Sequence, residues 1–209
     1  MELLAMFARD CVDPSSARMV AGCVANLCGH ERTERSLHEC GGLALVLRVA
    51  EQWVPKSKEV GTQVSLFFTF VFFLFSYGQL YSMTSCFVHK VARALANYAK
   101  CDGGKMRVAT HPGALALALR LASDPDDCAA RRHARSALCE VATDLDVGAG
   151  AIRDVPGAAA LLRHLADGGG GDDDGGGSDE GERERKMARR ALRRMEKSLP
   201  PDHRYSDRL

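Results

Sequence analysis

The chain has 209 residues, 46% of them hydrophobic, and a formal net charge of +1. That length suits one globular domain or a short repeat array with apolar mass for a core, and the near-neutral balance argues against a purely electrostatic partner. Residues 1–10 lack a basic start followed by an apolar run, so no signal peptide is expected. The eight cysteines are then read as reduced, structural residues, with Cys23 and Cys28 on the buried stripe of a helix.

Residues 1–9, MELLAMFAR, form a short amphipathic helix with no repeat before it, so residues 1–12 are expected to be the end of a preceding unit. Asp13 and Ser15 or Ser16, with Pro14 in the turn, can cap the helix that runs to Cys28. This helix is written three times: ARMVAGCVANLC at 17–28, HKVARALANYA at 89–99 and RHARSALCEVA at 132–142. Superposed, they put Val20, Val91 and Ala134 in one column, Val24, Leu95 and Leu138 in a second, and Cys28, Ala99 and Ala142 in a third. Columns four residues apart make one buried stripe, and the small residues Ala21, Ala25, Ala92 and Ala96 let neighbouring helices approach closely.

The segment C-terminal to each copy repeats as well. Gly42 lies sixteen residues after Asn26, Gly113 sixteen after Asn97, and Gly157 seventeen after Glu140, opening GLALVLRVA, GALALALRLA and GAAALLRHLA. Each unit therefore reads helix, short turn helix, glycine, helix, the glycine suiting a sharp reversal. This three-helix unit, with 43 residues from Asn97 to Glu140, resembles the armadillo repeat. RMVAGCVANLCGHE, GGLALVL, VARALANYAKCD and RRHARSALCEVA narrow the resemblance to the armadillo-repeat tail of the plant armadillo-repeat-containing kinesins, with no part of it touching a motor domain. It implies an all-α, right-handed solenoid of about three repeats over residues 13–166 and a cytoplasmic, microtubule-associated setting.

The period breaks once. Asn26 to Asn97 is 71 residues, an excess of 28 over the later spacing. Residues 60–88 account for it: they carry no charged side chain and hold seven of the eight phenylalanines. Three readings stay open: a translated intron or lineage insertion, suggested by the Phe-, Tyr- and Leu-rich composition; a membrane-active segment, which would make the chain a membrane-anchored protein; or an ordered extra hairpin. The block is expected to project from the array or lack order. After it, a turn at 101–105 and a helix at 111–122 complete the second unit. Asp124 to Asp127 cap the third unit, which closes with residues 156–166. Residues 167–181 hold six acids and no apolar residue and read as a solvated linker. Residues 182–198 return to a helical pattern, a capping helix with Met187, Ala191, Leu192 and Met195 on one face and a solvated basic face, the alternative being docking onto an acidic surface such as a microtubule, and 199–209 read as a disordered tail.

Nothing asks for catalysis. Cys23, Cys28, His30, His38 and Cys40 include no C-x-x-C and match no zinc module, and Gly103-Gly104-Lys105-Met106 lacks the hydroxyl residue of a phosphate-cradling loop. No metal, cofactor or nucleic acid is expected. The expected chemistry is binding, on the concave face that the resemblance assigns to the thrice-written helix. Peptide-binding members of that superfamily clamp a partner's backbone with an asparagine, here Asn26 and Asn97, with Glu140 at the third place. The equally weighted alternative is that these asparagines bond to a neighbouring unit. The tryptophan positions of such proteins hold Gly22, Arg93 and Ser136, so slots for basic side chains are not expected. The ladder Arg18, Gly22, Asn26, then His89, Arg93, Asn97, then Arg132, Ser136, Glu140 sets three arginines and a histidine against one carboxylate. An extended acidic or phosphorylated protein segment is the expected partner.

Overall fold

A computed structural model of the chain describes residues 2–10, 13–29, 31–52, 77–111, 113–125, 127–144, 147–169 and 179–198. Among the described residues every regular element is α-helical: α1 (Glu2–Arg9), α2 (Pro14–Leu27), α3 (Glu31–Glu39), α4 (residues 42–52), α5 (Tyr77–Lys100), α6 (Asp102–Thr110), α7 (Ala114–Ala122), α8 (Cys128–Ala142), α9 (Gly148–Asp154), α10 (Ala158–Ala166) and α11 (Asp179–Lys197). Helix α2 packs on α5, α5 on α8 and α8 on α11, a row against which α7 and α10 pack as a second layer.

Local signals start these helices. Asp13 caps α2, its Oδ1 accepting from the backbone N–H groups of Ser15 and Ser16 at 2.9 Å each, with Pro14 in the first turn. Asp127 does the same for α8, accepting from Ala130 N–H at 2.8 Å. The three columns are buried throughout: Val20, Val91, Ala134, Val24, Leu95, Leu138, Cys28, Ala99 and Ala142 are all core residues. The small residues between them, Ala21, Ala25, Ala92 and Ala96, are buried as well.

Several expectations shift. Cys23 is exposed, because its place on α2 turns away from the stripe that buries Cys28. The reversal glycine of the first unit is Gly41 (φ 74°), matching Gly113 (φ 81°) and Gly157 (φ 89°). Gly42 is already helical and is required for another reason, since a Cβ there would collide with the Tyr98 hydroxyl and the Leu37 side chain. Residues 102–105, expected within a turn at 101–105, are the first half of the helix α6. Its Gly104 crosses the end of α5 so closely that a Cβ would strike the Tyr98 carbonyl, and in the next unit Gly148 of α9 crosses the Val141 carbonyl of α8 in the same way. These glycines let α6 and α9 lie on the C-terminal turns of α5 and α8.

The last part of the uncharged block, residues 77–88, is the N-terminal half of α5, with Phe87 and Val88 buried. The rest of the block, the middle of the Gly/Asp stretch and the tail at 199–209 lie outside the described residues. No described helix is long and apolar enough to cross a membrane.

Helix α11 joins the row through a charged bond. Arg135 of α8 is buried; its Nε donates to the carbonyl of Ala122, the last residue of α7, at 3.2 Å, and its Nη1 meets Glu184 Oε2 of α11 at 3.4 Å. One unit later Arg189 of α11 repeats the first contact, its Nε donating to the carbonyl of Ala166, the last residue of α10, at 3.0 Å. Ala188, Ala191 and Met195 complete the apolar seam. Burial holds the Glu184 carboxyl above its ordinary value against the pull of Arg135, Arg131 and Arg132.

The crossing glycines give a prediction with two signs on one helix. Gly148→Ala should destabilise by about 1–3 kcal/mol through overpacking against Val141. Gly150→Ala, whose Cβ would meet only the end of Arg153 at 3.9 Å, should stabilise by roughly 0.5–1 kcal/mol. Urea denaturation of both variants checks this, and equal effects would refute the close crossing.

Candidate interaction surface

The expected binding residues lie along the row, on α2, α5 and α8. Helix spacing alone puts Arg18, Gly22 and Asn26 on one line of α2, and the repeat puts their counterparts beside them. Asn26 and Arg132 are exposed, while Arg18, His89, Arg93, Asn97, Ser136 and Glu140 are half-buried. The ladder is therefore neither core nor loose surface.

Its rungs bond to one another. Arg93 Nη2 donates to Asn26 Oδ1 at 2.6 Å, joining α5 to α2, and its Nε is buried without a hydrogen-bond partner. The side-chain amide of Asn97 donates to the carbonyl of Ala25 at 2.7 Å. Asn97 thus bonds the neighbouring helix, the structural role weighed against peptide clamping. Asn26 is exposed, and its Oδ1 is the atom that meets Arg93. Glu140 Oε2 lies 3.9 Å from Lys105 Nζ of α6, so the one carboxylate of the ladder is partly neutralised. These contacts hold the ladder side chains of α2 and α5 in a common frame, which lowers the ordering cost of binding an extended segment.

Sequence reasoning missed three residues that matter here. His133 of α8 lies against His89 of α5, ring centroids 5.0 Å apart and planes at 59°. Burial, then His89 itself and the cations Lys100, Arg93 and Arg132, depress the His133 pKa to about 4. His89 is lowered mainly by burial, with Asp127 opposing and Lys90, Arg93 and Arg132 adding to the fall. The 44-residue spacing of the two histidines, one more than the repeat, is the signal that places them on adjacent helices. Arg135 and Lys105 carried no such signal. Among the described residues no group of three or more His, Cys, Asp or Glu is placed to hold a metal ion, and the Cys139 thiol, buried on α8, is pushed up to about 12.

No protein-family model, no curated protein and no solved structure matches this chain.

The histidine pair predicts acid sensitivity. Between the ordinary value of 6.5 and about 4 the unfolded chain takes up protons that the folded interface excludes. The stability this excluded proton represents is present above pH 6.5 and is lost as pH falls towards 4. The urea midpoint should therefore drop between pH 7 and pH 5.5, before most carboxylates titrate, and His133→Gln should flatten that drop. An unchanged slope in the variant would contradict it.

Proposed function

We propose that this chain is a non-enzymatic protein-binding module, an armadillo-type α-solenoid that holds an extended acidic or phosphorylated segment of a partner along the face of the row α2–α5–α8. The observation that carries this is the Arg93–Asn26 bond, which ties successive ladder positions of the neighbouring helices α2 and α5 into one polar face. Arg18, Arg93, Arg132 and His89 bring donors to carboxylate or phosphate oxygens, and Asn26 brings a side-chain NH2 to a backbone carbonyl. The repeat pattern and the order in which the helices pack support the solenoid reading. The resemblance in residues 1–166 supports a place as the partner-binding tail of a kinesin-like, microtubule-associated protein in the cytoplasm.

The test is binding of a synthetic phosphoserine- and glutamate-containing peptide, followed by fluorescence anisotropy. Replacing Arg93 and Arg132 by Glu should abolish binding with far-UV circular dichroism unchanged, and the parent's affinity should fall as salt rises. Arg132→Glu alone leaves the Asn26 bond in place and should still weaken binding by about 3- to 10-fold. A double variant that binds as well as the parent would refute the proposal.

A further inference from the structure

Arg135 and Arg189 make one contact in two successive units, each closing on the carbonyl at the end of the second-layer helix of the unit before. That shared bond fixes the register between α8 and α11 at an offset of 54 residues. The burial pattern agrees: Ala134, Ala137 and Val141 of α8 are buried, as are their counterparts Ala188, Ala191 and Met195 of α11. In this register Arg132, Ser136 and Glu140 correspond to Lys186, Arg190 and Arg194. Where α8 offers one cation, a hydroxyl and a carboxylate, α11 offers three cations. Arg183 and Lys197 lie on the same helical stripe, and Arg183, Lys186, Arg190 and Lys197 are exposed. The acids Glu182 and Glu196 fall on the flank of α11 turned away from the α8 side of that stripe.

We propose that α11 is the fourth rung of the binding face and its main anion-reading end, taking a cluster of carboxylates or phosphates in an acidic segment of a partner protein. This rests on the function proposed for the α2–α5–α8 face and extends it. Helix α11 is part of the array rather than a cap with a solvated basic face, because Arg135–Glu184 and Arg189–Ala166 lock it in the position that α8 holds one unit earlier. Charge along the face is uneven: one arginine and no acid on each of α2 and α5, Arg132 set against Glu140 on α8, and three cations on α11. Such a distribution suits a segment whose acids are clustered at one end. It does not suit a nucleic acid, whose uniform phosphates would meet Glu140 and would find no aromatic side chain for their bases on the described ladder positions.

The probe is a fluorescein-labelled peptide with a block of glutamates at one end of a Gly-Ser-Ala segment, titrated with the full chain. Lys186→Glu with Arg190→Glu should weaken binding by about tenfold or more. Arg120→Glu with Arg163→Glu makes the same change in net charge on exposed positions of α7 and α10, and should alter affinity by about twofold at most. If both pairs weaken binding equally, only net charge is being read and the inference fails. If binding responds to Arg93 and Arg132 but not to the α11 pair, this inference fails while the proposed function stands. A peptide that does not bind, or that ignores both sets, overturns both. Displacement of the peptide by a double-stranded oligonucleotide at matched charge overturns the assignment to a protein partner.

Discussion

The close approach of α2, α5, α8 and α11 is the constraint on which the rest depends. Alanines line the contacts, among them Ala21, Ala25, Ala92, Ala96, Ala134, Ala137, Ala188 and Ala191, all essentially inaccessible. Small side chains let helices pack at short interaxial distance, so that a side chain of one helix reaches the backbone of the next. Asn97 bonding the Ala25 carbonyl is a direct consequence. A second set of close crossings seats α6 on α5 and α9 on α8, where a Cβ at Gly104 or Gly148 would collide with the carbonyl of the preceding helix.

Helices this close cannot bury charge without providing for it. Arg135 is buried, and its guanidinium is met by the Ala122 carbonyl and the Glu184 carboxylate. Removing one partner of such a pair is costlier than never having built it. That makes Arg135 a strong determinant of where α11 sits. The remaining charges are forced to the exposed side of each helix, and because the repeat keeps register they accumulate on one face. The polar ladder is thus a by-product of packing as much as a device for binding. The histidines show the other side of this: His89 and His133 lie at the α5–α8 seam among cations and are held neutral.

How much of this was legible in the sequence depends on the kind of signal. The three apolar columns were, because residues four apart on a helix share a face and the pattern recurs. The reversal glycine was only half legible: in Gly41-Gly42 either residue fits the motif, and only the backbone shows that Gly41 takes the positive φ while Gly42 makes room for Tyr98. Cys23 was misplaced because a stripe inferred from columns has no defined width. The start of α6 was read as a turn because adjacent glycines weaken helix propensity, a local cost that the packing of Gly104 on α5 outweighs. That α11 packs on the array was legible in the apolar face of Met187, Ala191, Leu192 and Met195, whereas its register against α8 was not, because the Gly/Asp stretch lengthens its spacing. The ladder positions were found by register, whereas their bonds to one another were not, since no spacing rule says that Arg93 reaches Asn26.

The central claim is that one face of one row of helices binds the partner. Amide chemical-shift perturbation, with backbone assignments of the full chain titrated with the glutamate-block peptide, tests it most directly. The account predicts shifts clustered at Asn26, Arg93, Ser136 and Arg190, on four helices of the row, with α7 and α10 unaffected. Shifts confined to α7 and α10, or spread without regard to the row, would contradict it.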